Sequence, residues 1–111
     1  MKAKPLKFIE GGYIPCNPDV ATHVVLEMPG PISYRMIPVI TSGDRAGTPC
    51  WTWNGSIDKP TLKPSILTRA YDGPNVSVLC HSFVTDGMVR FLKDCTHEFA
   101  GKTVELLDVN W

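Results

Sequence analysis

The sequence predicts a mainly β fold: one small antiparallel domain of the sandwich, barrel or zinc-ribbon kind, with little helix. Ten prolines and nine glycines are scattered along 111 residues. No stretch between them spaces apolar residues by three and four for three turns, as a core-facing helix does. What recurs is a short apolar run bounded by turn residues, the pattern of strands joined by tight connections.

The runs follow in order. Residues 6–9 end at Gly11-Gly12, residues 23–28 at Pro29-Gly30-Pro31, and residues 34–40 at a polar, glycine-bearing stretch. Residues 50–53 stop at Asn54-Gly55, a turn dipeptide. Residues 65–69 follow Pro60 and Pro64, which bar a helix and suit an edge strand or extended rim. Residues 76–84 and 88–93 flank Thr85-Asp86-Gly87, where Gly87 supplies the positive φ of a hairpin turn. A helical turn over 98–102, closed by a left-handed Gly101, precedes the eighth strand at 103–109.

The hairpin register has two forms. A two-residue loop puts Cys80, Ser82 and Val84 on one face with Val89, Phe91 and Cys95; a three-residue loop puts His81 and Phe83 there instead. Neighbouring strand residues point to opposite sides, so only one of Cys80 and His81 faces the same way as Cys95.

Length and composition bound the function. A single core occupies on the order of 100–150 residues, so residues 1–111 are read as one domain. Eleven Lys+Arg offset eleven Asp+Glu, and the basic cluster Lys2, Lys4 and Lys7 is small. That balance argues against nucleic-acid binding through a broad phosphate-neutralising face and favours a protein partner or a homo-oligomer. No apolar run resembles a signal peptide or a span of roughly 18–20 residues, so no membrane role and a cytoplasmic location are expected. In a reducing compartment the four cysteines are expected as thiols or metal ligands.

Cys80, His81, Cys95 and His97 are all metal-ligand types, a doublet and a Cys-x-His pair separated by the hairpin. Zinc needs three or four thiolate or imidazole groups converging at about 2.0–2.3 Å. Strand alternation reduces the set to Cys80 or His81 with Cys95 and His97, with Cys16, Cys50, His23 or water completing it. The competing reading is two small buried thiols and hydrogen-bonded histidines.

A second group gathers Trp51, Trp53, Asn54, Lys59 and Thr61 as a candidate binding surface. Trp51 and Trp53 share a strand face and can form a stacking platform, or they can be core. No residue is assigned a catalytic role: Gly-x-Ser-x-Gly, Walker, dinucleotide and His-Glu-x-x-His patterns are missing. Cys95 and His97, two apart on a strand, seldom pair as thiolate and base without a third orienting group, and Asp94 and Glu98 are either carboxylates that hold an imidazole tautomer or solvated charges.

Five short motifs carry a resemblance over about residues 50–107: Trp51-x-Trp53-Asn54-Gly55; Lys59-Pro60-Thr61-x-x-Pro64-Ser65-Ile66; Cys80-His81-Ser82-Phe83-Val84-x-Asp86-Gly87; Phe91-Leu92-x-Asp94-Cys95-Thr96-His97; and Ala100-Gly101-x-Thr103-Val104. Together they resemble an uncharacterised family of small bacterial and phage proteins, some of which carry the label "ammonia monooxygenase". The family commonly has an upstream Cys-Pro-x-Cys knuckle that resembles the other half of a zinc site. Here Met28 and Pro31 stand in its place. The resemblance implies a setting among ubiquitin-like conjugation genes or phage genomes.

These readings predict a small phage-type or bacterial accessory protein that binds a host or phage protein in phage–host conflict, with a structural zinc site or its remnant. The alternatives are a zinc-dependent hydrolase with an open metal site and a virion structural component.

Overall fold

The structure, a computed structural model, describes residues 1–40 and 50–110. Nine strands form the fold: β1 (Lys4–Ile9), β2 (Gly12–Pro15), β3 (His23–Glu27), β4 (Tyr34–Ile40), β5 (Trp51–Trp53), β6 (Leu62–Asp72), β7 (Asn75–Thr85), β8 (Met88–Phe91) and β9 (Thr103–Glu105). They lie in the order β2-β1-β3-β4-β5-β6-β7-β8-β9, antiparallel throughout except for the parallel pair β4–β5. The mainly β, largely antiparallel fold is therefore as the sequence predicts.

Two elements were not foreseen. Gly11 at φ 92° lets the chain reverse, so β2 pairs back on β1 as a short, mostly exposed edge strand. Pro18–Val20 forms a 3-10 turn with a proline in its first position. Over 98–102 the chain makes hydrogen-bonded turns, Ala100 N to His97 O and Lys102 N to Phe99 O, and Gly101 has φ 78°.

Alternation along the strands builds a main interior, with Leu6, Val25 and Val109 in a smaller buried cluster apart from it. Val24 and Leu26 of β3, Ile37 and Val39 of β4, Trp53 of β5, Ile66 of β6, Cys80 and Val84 of β7, and Val89 and Phe91 of β8 form one buried cluster. Arg35 points into the same interior at 4% exposure, although it is charged. The sheet curls until its far end meets β3: Leu107 N donates to Glu27 O, and the two residues form a β-bridge.

The β7–β8 hairpin adopts the two-residue loop. Ser82 pairs with Phe91, Phe83 with Arg90, Val84 with Val89 and Thr85 with Met88. Asp86 and Gly87 both have positive φ, 50° and 77°, the pair of left-handed conformations that matches the twist of the flanking strands. Cys80, Ser82 and Val84 consequently face inward and His81 and Phe83 outward.

β6 is longer than expected and lies inside the sheet, not at its edge. Its register against β7 shifts between Leu62 and Ile66, so Lys63, Pro64 and Ser65 together stand opposite the single residue Phe83. Proline is tolerated there because a bulge asks for no ladder hydrogen bond to β7.

Candidate active site

The bulge positions Ser65 beside His81 on the outer face. Ser65 Oγ lies 3.0 Å from His81 Nε2, and His81 Nδ1 lies 3.0 Å from Asp94 Oδ2. With Asp94 accepting from Nδ1–H, the neutral ring presents Nε2 as an acceptor to the Ser65 hydroxyl. A nucleophile, a base and a carboxylate that orients the base are thus joined in one chain of hydrogen bonds. The His81 side chain is 25% exposed and that of Asp94 is 54%, so the group is open to solvent and to a substrate.

Each part is held locally. The segment 92–96 runs beside β7: Leu92 N donates to His81 O, Thr96 N to Leu79 O, and Leu79 N to Thr96 Oγ1. The Cys95 thiol sits 3.2 Å from both the His81 N–H and the His81 carbonyl. On the other side, Trp51 Nε1 donates to the carbonyl of Ser65 at 3.2 Å.

The second group lies behind the first. Ligand atoms of Cys80, Cys95 and His97 all lie within 4.8 Å of one another, a donor set that could hold a metal ion. His81, expected among these ligands, is not with them: both ring nitrogens engage Asp94 and Ser65 on the opposite face. Among the described residues Cys16, Cys50 and His23 do not join the group either. His23 Nδ1 instead meets Thr22 Oγ1 at 2.9 Å.

Two observations bear on whether a metal fits. Phe99 N donates to His97 Nδ1 at 3.3 Å, so the neutral ring carries its proton on Nε2, which is buried without a hydrogen-bond partner and must lose that proton to ligate an ion. Arg35 is also buried, at 4% exposure, and its charge acts on Cys80 and on His97. Burial pushes the Cys80 thiol up, with the Arg35 charge pulling the other way. His97 is pushed down, first by burial and then by Arg35.

Of the two uses open to the tryptophans, the structure gives them that of core residues. Trp53 is 1% exposed with Nε1 bonded to Ser56 O, and Trp51 packs against the same core. Asn54 organises the loop: Oδ1 accepts from Ser56 N and Thr61 N, and Nδ2 donates to Lys59 O. Thr61 Oγ1 accepts from Asp86 N, docking that loop on the hairpin turn.

Sequence reasoning missed Ser65 as a nucleophile and Arg35 as a buried cation. Asp94 was read as a carboxylate able to orient an imidazole, and it does orient one, that of His81. The signal available was register: once Cys80 and Cys95 face inward, their neighbours His81 and Asp94 share the outer face.

No helix among the described residues is long and apolar enough to cross a membrane. Searches of curated proteins and of solved structures found no match. A family described as "Bacterial ubiquitination-like system serine protease (BubE)" matches residues 32–92, more than half of the chain, a span that includes Ser65 and His81 and stops two residues before Asp94. The chain belongs to the BubE family.

Proposed function

We propose that the protein is a serine hydrolase that cleaves an acyl bond in a polypeptide, with Ser65 as nucleophile, His81 as general base and acid, and Asp94 as the group that orients His81. The observation that carries this reading is the pair of 3.0 Å contacts linking Ser65 Oγ, His81 and Asp94. Ser65 Oγ adds to the acyl carbon while His81 Nε2 takes its proton; the proton then goes to the leaving group, and water releases the acyl-enzyme by the same route in reverse. Asp94 keeps the ring in the tautomer with Nδ1 protonated and offsets the charge that forms on it. Because its carboxylate is half exposed, solvent screens part of that effect.

Membership in a family described as part of a ubiquitination-like system supports a protein over a small ester as the natural substrate. Protein recognition, expected from the sequence as the whole function, is here the step that precedes chemistry. The inward Cys80, Cys95 and His97 take no part in proton transfer, since they lie on the other side of the sheet from Ser65.

The test is labelling with a fluorophosphonate probe, which reacts with activated serines. Intact-mass and peptide analysis are expected to show one adduct on Ser65, lost in Ser65→Ala and in His81→Ala. Equal labelling of wild type and Ser65→Ala, or no adduct in folded wild type, overturns the reading.

A further inference from the structure

A row of outward side chains crosses the sheet level with Ser65. The bulge that carries Ser65 stands opposite Phe83, Phe83 pairs with Arg90 across the β7–β8 ladder, and Arg90 pairs with Thr103 across the β8–β9 ladder. Alternation puts Phe83, Arg90 and Thr103 on the same side of the sheet as His81. Together with Thr85 and Met88 they line a cavity of about 360 Å³. Arg90 Cζ lies 5.0 Å from the centre of the Phe83 ring, so an aromatic face braces the guanidinium. Among the described residues no carboxylate pairs with Arg90, nor with Lys63 in the bulge. Glu105 and Asp94, acids of the same side, are engaged by Lys2 at 3.3 Å and by His81 at 3.0 Å. The row therefore carries unmatched positive charge on a chain whose formal net charge is zero.

We infer that this cavity is a subsite for an acidic side chain of the polypeptide substrate, with Arg90 as the residue that receives its carboxylate; the inference rests on the reading of Ser65 as nucleophile. Neighbouring strands lie about 4.8 Å apart, so the two steps from the bulge to Arg90 cover about 10 Å, the reach of roughly three residues of extended peptide. A substrate that runs across the strands from Ser65 accordingly brings a side chain close to the scissile bond into the cavity. Phe83 and Met88 offer apolar surface to its methylene stem, and the Arg90 fork matches the two oxygens of a carboxylate. A basic side chain in the same place would meet a like charge, and an apolar one would take water from the guanidinium without replacing it. Lys63, exposed in the bulge beside Ser65, adds a second positive charge that draws an acidic segment toward the row before contact is made.

The probes are octapeptide libraries, acetylated and amidated at their ends and randomised over uncharged residues, with one Glu or one Gln placed at each position in turn. They are selected on full-length Ser65→Ala protein, and retained peptides are counted by mass spectrometry. Glu is expected to be enriched over Gln about three- to tenfold at one position in low salt, and less in high salt. Adding Arg90→Gln should abolish the enrichment, Arg90→Lys should keep part of it, and Lys7→Gln, which removes an exposed charge on β1, should keep all of it. Equal retention of Glu and Gln libraries overturns the inference, as does an enrichment that survives Arg90→Gln. A Gln library with a free carboxyl terminus is the last arm: enrichment there alone means that the cavity takes a chain end, and overturns the side-chain assignment. Selection needs no turnover, so the two readings fail separately. Acid preference without cleavage by wild type would sink the hydrolase and leave the carboxylate site standing; cleavage without acid preference would do the reverse.

Discussion

His81 lies directly across the β6–β7 ladder from Leu67, yet its Nε2 meets Ser65, two residues further along, at 3.0 Å. The bulge that disrupts the register between Leu62 and Ile66 carries the serine into reach. Regular pairing would have continued the ladder through this position and left Ser65 as one more outward strand residue.

Replacing Asp94 by Asn should keep the fold and remove the anionic acceptor for His81. We expect the rate of fluorophosphonate labelling at Ser65 to fall by on the order of 10²–10⁴-fold, with an unchanged melting temperature within about 1 kcal/mol of stability. An Asp94→Asn protein that labels at the wild-type rate would remove Asp94 from the proposed machinery.

The two tryptophans should separate cleanly. Trp51→Phe keeps most of the apolar contact and loses the indole donor to Ser65 O, so labelling of Ser65 should slow while stability changes by roughly 1 kcal/mol. Trp53→Ala empties a core position that is 1% exposed and should cost about 3–5 kcal/mol in urea unfolding. Its bond to Ser56 O is remote from the nucleophile, so Trp53→Phe should leave the labelling rate unchanged.

His97 gives the protein a pH dependence of known sign. Its folded value is pushed below 6.5, chiefly by burial and then by Arg35. Above about pH 6.5 both states are neutral and the group adds no pH dependence. As pH falls below that, the unfolded chain takes up a proton that the folded one resists, and stability is lost down to the folded value. Melting temperature should fall more steeply between pH 7 and 5 in wild type than in His97→Gln; parallel curves would contradict this.

Gly87→Ala should be costly twice over. Gly87 holds a positive φ of 77°, and an added Cβ would lie 3.2 Å from the Asp58 carbonyl oxygen, a backbone atom that has little room to move. We expect about 1–3 kcal/mol of destabilisation in denaturant unfolding. Gly73, also at positive φ but with nothing within 4 Å, should show only the smaller conformational part when changed to Ala.

The strands were legible because alternation and turn dipeptides are local: the run beginning at residue 34 starts where β4 does, and Asp86-Gly87 gave the hairpin. β2 was not: the run 6–9 was read as ending at Gly11-Gly12, and Gly12–Pro15 becomes a strand only by folding back on β1. The metal-ligand residue types were visible, but their sorting was not. Cys80 and His81 are adjacent in sequence and separated by the sheet, and which one faces Cys95 depends on one residue of loop length. Ser65 carried no motif because no local turn presents it; a long-range register shift does. Nothing local in the sequence marks Arg35 as buried.

The pairs Cys80-His81 and Asp94-Cys95 each cross the sheet, one member to the reactive side and one to the interior. A single-residue insertion or deletion in the Asp86-Gly87 loop would therefore not merely disorder the site: slipping β7 by one place against β8 would exchange Cys80 and His81 between the two sides while Asp94 and Cys95 keep theirs. Such a protein would turn a thiol to solvent and bury an imidazole beside Arg35. It would gain sensitivity to oxidants in the place where it had held the proposed acyl-transfer base, with almost every residue of the chain unchanged.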